Sequence, residues 1–120
     1  MSDALAYAAA GLVFLWGGAH VIPTRQVVAG FGDISRDNRL IITMEWVAEA
    51  LAMWFVAALV LAVTVAGSPP DLVYRGCAGF LVGLGGWTAA TGARTPVVWF
   101  KACPVVMTVG AALLVAASLT

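Results

Sequence analysis

Apolar residues fill this chain in four long runs separated by short polar breaks. The second run is the most telling, RLIITMEWVAEALAMWFVAALVLAVTVAG from Arg39 to Gly67. A helix of about 20 residues rises about 30 Å, enough to cross the hydrocarbon of a bilayer. On that rule the runs predict spans over 4–22, 39–66, 71–90 and 96–119. The breaks carry their own chemistry. Pro23 ends the first run, because the residue before a proline is pushed out of the α region. Gly67, Ser68, Pro69 and Pro70 end the second, with Ser68 reading as the cap of the next helix, Pro69 as its first position and Asp71 as the acidic partner of a capping box. Thr95 and Pro96 read as the cap and first turn of the last helix, and Pro104 as a kink point within it.

The first connection, 23–38, is the longest, and Gly30, Gly32, Asp33, Ser35 and Asp37 supply turn and capping groups. VVAGF inside it can lie along the head groups as a short interfacial helix. The expected fold is an all-α membrane protein, one domain over 1–120, built as an antiparallel bundle of four transmembrane helices.

Composition agrees with that pattern and removes the soluble alternatives. The 120 residues are 62% hydrophobic and 10% charged, far from the balance of a soluble domain. Zero formal charge argues against a nucleic-acid partner. The start, MSDALAY, lacks the basic region of a secretory signal, so the first run is expected to be a retained helix. The basic residues set the orientation. Arg25, Arg36, Arg39, Arg94 and Lys101 fall after the first and third spans, against Arg75 alone at the other face, so the positive-inside rule puts those connections in the cytoplasm and both termini on the non-cytoplasmic side. Cys77 and Cys103 are expected at opposite faces as buried, inert thiols.

Two features bear on packing. Gly79 and Gly83 form a G-x-x-x-G pair in the third span, which predicts the packing centre of the bundle, with the neighbour either a helix of this chain or a second copy. Gly17-Gly18 and Gly85-Gly86, followed by Arg25 and Arg94, give a faint echo of duplication.

The candidate chemistry lies in carboxylates placed among apolar residues. Glu45 and Glu49 are four apart and share one helix face. An acidic residue deep in a span costs about 2.5–3.5 kcal/mol, so such groups turn inward and take a partner. Threading four spans brings His20, Thr24, Glu45, Glu49, Trp87, Thr88, Thr91, Arg94, Trp99 and Lys101 to one half of the membrane. His20, Glu45 and Glu49 are the acid–base candidates for proton transfer or isomerisation, and Trp16, Thr88, Thr91, Arg94 and Lys101 are the candidate binding residues. The alternative is a structural network in which Glu49 pairs with Lys101 or His20 to hold the helices in register. Either way, Glu49 is expected to face inward and touch His20, Thr88, Thr91 or Lys101. No metal is expected, because a di-metal carboxylate bundle needs more than the single histidine present. The tryptophans read as interfacial anchors or packing, with Trp16 also placed to line a cavity one turn before His20.

AGLVFLWGGAH, a polar loop, and a second span with a glutamate before a long aliphatic run resemble the DoxX-like proteins, small four-helix membrane proteins of bacteria. The resemblance covers about residues 10–65, and either Glu45 or Glu49 matches the family's glutamate. Where that family carries a basic residue at the end of the first helix, this chain has His20, and ARTPVVWFKACP has no counterpart. The resemblance implies a bacterial inner-membrane component that accompanies redox or sulfur-handling enzymes, sometimes beside a quinone. Two readings of function follow. One is an accessory or scaffold component of a membrane redox system, with a membrane or redox protein, or a second copy, as partner and no cofactor of its own. The other is a membrane-embedded enzyme or carrier for a small apolar molecule, an isoprenoid or quinone, using His20 with Glu45 or Glu49 as acid and base.

Overall fold

A computed structural model describes all 120 residues. It contains helices and no strands: α1 Ser2–Val21, α2 Thr24–Ala29, α3 Arg36–Ala66, α4 Asp71–Ala90, a single 3-10 turn Gly92–Arg94, and α5 Val98–Ala117. The four long helices cover the four apolar runs, and α2 is the short helix of the first connection. The molecule is elongated, 51 × 25 × 18 Å. Its long dimension is that of α3, whose 31 residues rise about 46 Å.

The ends of α3 are set by local chemistry. The Ser35 hydroxyl accepts the backbone N–H of Asn38 at 3.1 Å, so the loop serine caps one of the orphan donors of the first turn, beside Asp37. At the other end Gly67 takes the left-handed conformation, φ 61°, which glycine adopts without a Cβ penalty. Two sequence-based helix starts are displaced. Ser68 is not the cap of α4, whose first residue is Asp71 after Pro70, with no side-chain cap. The second proline of the pair occupies the cap position, and that places Ser68 too far upstream to reach the first turn. Thr95 does not cap α5 either. The chain first closes a 3-10 turn in which the Thr95 hydroxyl donates to the Gly92 carbonyl at 2.7 Å, and α5 starts only at Val98. It then runs on through Pro104.

Packing follows the order α3, α1, α5, α4: α1 lies against both α3 and α5, α5 against α4, and α3 and α4 meet over a short stretch only. The core is made of small and flexible side chains, among them Ala6, Ala9, Val13, Met53, Ala57, Leu81, Met107 and Ala111. Three glycines permit the closest approaches. A Cβ on Gly17 would sit 2.7 Å from Trp54 Nε1, one on Gly85 3.1 Å from Met107 Cβ, and one on Gly110 3.2 Å from Val13. Gly79 and Gly83 are not the packing centre. They are exposed, and a Cβ at either would meet nothing within 4 Å, because α4 turns its Tyr74, Ala78, Leu81 and Gly85 face inward.

Only 23 of the 120 residues are buried, while large apolar side chains such as Leu15, Phe55, Phe80 and Val105 are exposed. Water does not tolerate that much apolar surface, and lipid does. Three helices, α1, α3 and α5, are long and apolar enough to cross a membrane. α4 has the length, 20 residues, but its glycines and Arg75 make it less apolar than the other three.

Candidate functional site

The polar groups of the interior gather at one end of the bundle, where the last turn of α1, the first half of α3, the last turns of α4 and the first turn of α5 come together. His20 and Trp46 form the hinge of this region. The imidazole and indole rings stack with centroids 4.0 Å apart and planes at 15°. Trp46 Nε1 donates to the His20 carbonyl at 2.9 Å, and His20 Nε2 donates to the Trp46 carbonyl at 3.1 Å. The His20 carbonyl is one of the orphan acceptors at the C-terminal end of α1, so the indole does the work of a cap from a neighbouring helix. On the far side of α3's first half the same device recurs: Trp54 Nε1 donates to the Phe14 carbonyl at 3.1 Å, over the space that Gly17 leaves.

Glu49 completes the pair. Its Oε2 lies 3.5 Å from His20 Nε2, with 10% of the histidine side chain and 26% of the glutamate side chain exposed. Both groups that face Nε2, a carbonyl and a carboxylate, can only accept, so Nε2 carries its proton. The pair can therefore hold one further proton, on the imidazole or on the carboxyl, at a fixed place inside the helices.

A cavity of about 310 Å³ opens directly on this histidine, lined by Trp16, Ala19, His20, Pro23, Gln26, Trp46, Val97, Trp99 and Phe100. Phe100 meets Trp46 edge-on at 5.8 Å, so α5 also braces the indole. Trp16 Nε1 is buried without a hydrogen-bonding partner, and the buried Cys103 thiol lies beside it, with Thr88 and Glu49 nearby.

The structure thus brings together His20, Glu49, Trp16 and Thr88, the last with its hydroxyl donating to the Gly85 carbonyl at 3.1 Å. It leaves the others outside. Glu45 is exposed, on the side of α3 that looks toward Leu84 and Trp87 of α4. Thr91 is exposed and donates to its own helix at the Trp87 carbonyl, and Arg94 and Lys101 are exposed. Lys101 makes no ion pair with Glu49, because its side chain leaves the first turn of α5 toward the exterior. At the opposite end, Arg75 is held rather than free, donating to Ser118 Oγ at 3.3 Å. Sequence reasoning missed Gln26, Phe100 and the hydrogen-bonding role of Trp46. The spacing shows only that Trp46, three residues before Glu49, shares its helix face.

No protein-family model, curated protein or solved structure matches this chain.

Proposed function

We propose that this chain is a four-span protein, an antiparallel bundle with the His20 end toward the cytoplasm, that binds the head group of a lipid-soluble molecule in the cavity beside His20. The observation that carries the reading is the juxtaposition of an aromatic-walled cavity with a buried proton-holding pair. A volume of about 310 Å³ is at the small end of ligand pockets, which run roughly 300–1,000 Å³. It suits one ring-sized head, with an apolar tail left in the bilayer, and this favours a quinone-like or isoprenoid-derived molecule. Trp16, Trp46 and Trp99 supply flat apolar walls, Gln26 a side-chain amide at the mouth, and His20 with Glu49 a proton at the ring edge. α4 spans with the others because its inward face is covered by α5, and Arg25, Arg36, Arg39, Arg94 and Lys101 anchor this end among cytoplasmic head groups. The likeness to the DoxX-like proteins belongs to the same proposal, with Glu49, the inward carboxylate, as the family's glutamate.

Protein purified from its native membranes in mild detergent tests it. About one ring-headed apolar molecule per chain should co-purify, and Ala19→Phe, which fills the cavity, should remove it. Purified protein carrying only bulk phospholipid would overturn the reading.

The accessory reading rests on a separate observation, the exposed glycines of α4, which favour the close approach of a partner helix. It requires a second membrane protein to co-purify above an unrelated-bait control.

A further inference from the structure

Between α3 and α4 runs a groove that has only Trp46 in common with the lining of the His20 cavity. Its two halves meet at Ala52. One half, about 350 Å³, is apolar, with Phe55, Leu59, Val73 and Phe80 on its walls. The other, about 470 Å³, contains Glu45 and Glu49. No lysine or arginine lines either half. The groove exists because α3 and α4 are tied together near the turn that joins them, where the hydroxyls of Thr64 and Tyr74 share a hydrogen bond at 2.6 Å, and have little contact elsewhere. Glu49 reaches His20 on one side and this groove on the other, while Glu45 has no ion-pair partner in the chain.

We infer that this groove binds a membrane-soluble amphiphile with a cationic amine head, the ammonium group on Glu45 and Glu49 and a single alkyl tail against Phe55 and Phe80. Charge complementarity decides the occupant. A neutral lipid would leave Glu45 without a counter-ion and Glu49 with His20 as its one partner, at the cost that an unpaired charge carries at the edge of hydrocarbon, and an anionic one would be repelled. Dimension agrees. From Glu45 to Leu59, α3 rises about 21 Å, the length of a long alkyl chain laid along the helix. The two sites share Glu49 and Trp46, so the variant that separates them lies at Gly76, which lines only the apolar half of the groove.

The test uses the full chain in nanodiscs of zwitterionic lipid and a tetradecyltrimethylammonium probe with a photoactivatable diazirine in its tail, alongside the tetradecyl maltoside of the same design. Labelled peptides are mapped by mass spectrometry. The cation should label the α3 and α4 segments around Phe55 and Phe80 at least about fivefold more than the maltoside, the size of one modest charge interaction. Glu45→Gln should reduce that preference, and the Glu45→Gln, Glu49→Gln double variant should abolish it. Gly76→Leu is the second handle. Gly76 lines the apolar half and a Cβ there meets nothing within 4 Å, so the larger side chain folds and obstructs the groove, and labelling should fall for both probes. Equal labelling by the two probes, a cation preference untouched by the double variant, or cross-links showing a second copy of α3 or α4 in the groove would each overturn the inference. A ring-headed ligand co-purifying in the His20 cavity of Gly76→Leu would separate the two sites.

Discussion

His20 and Trp46 are joined to each other twice, each ring N–H donating to the other residue's backbone carbonyl, at 3.1 and 2.9 Å, while the rings stack. The arrangement fixes the imidazole plane, closes the end of α1 and forms one wall of the cavity in a single contact. A site built from one rigid pair between two helices holds its geometry better than one built on the loop that follows.

Trp46→Phe keeps an aromatic face for stacking and deletes the indole donor. The His20 carbonyl is then left without its partner, and thermal unfolding in detergent should show a loss of about 1–3 kcal/mol. Trp54→Phe should cost less, because the Phe14 carbonyl lies in the body of α1, where it also serves the helix's own ladder. Equal costs for the two variants would contradict the capping role of Trp46.

Glu49→Gln preserves shape and hydrogen-bonding capacity at His20 Nε2, whereas Glu49→Leu removes both. The glutamine variant should accumulate in membranes close to the parent level, and the leucine variant should accumulate poorly or unfold several degrees lower. If Gln folds and the co-purifying molecule is lost, ionisation at Glu49 is needed for binding. If Gln retains it and Leu does not fold, the carboxylate holds the helices in place.

The glycines divide into two groups with opposite expected responses. Gly17→Ala drives a Cβ to 2.7 Å from the Trp54 indole nitrogen and should destabilise by about 1–3 kcal/mol. Gly79→Ala and Gly83→Ala meet open space and should leave the chain as stable or raise it by up to about 1 kcal/mol each, the helix-propensity gain. Destabilisation at Gly79 and Gly83 in the detergent-solubilised protein would show that a partner helix covers that face.

Much of this arrangement was legible in the sequence, and the parts that were not have identifiable causes. The long helices are written in the apolar runs and in Pro23 and the Gly67–Pro70 break, because an apolar run leaves the backbone few choices in lipid. The meeting of His20 with Glu49 was legible too, since an inward carboxylate needs a donor and chain reversal brings the end of α1 beside the first half of α3. The packing glycines were not. A G-x-x-x-G pair states that a close approach is allowed, not that one occurs, and in α4 the neighbour α5 uses Gly85 instead. The role of Trp46 was hidden because a tryptophan in a span reads first as an interfacial anchor, and nothing local announces that its N–H will reach a carbonyl 26 residues earlier. The Ser68 and Thr95 caps failed for the converse reason: local signals for a helix start were present, but a second proline and a 3-10 turn moved each start downstream.

Orientation is a separate prediction. Reporter fusions at Thr120 and within the 25–36 connection should report opposite compartments, with the connection cytoplasmic. A cytoplasmic C-terminus would reverse the assignment of the His20 end.

The most direct test of the binding proposal is a fluorescence titration of the full chain in nanodiscs with a short-tailed quinone and with a set of other ring-headed apolar probes. Trp16, Trp46 and Trp99 line the cavity, so an occupant quenches three of the five tryptophans. Saturable quenching at one site per chain is expected for at least one probe, abolished by Ala19→Phe and weakened by Trp16→Leu. Quenching that rises linearly with every probe and is the same in Ala19→Phe would contradict it.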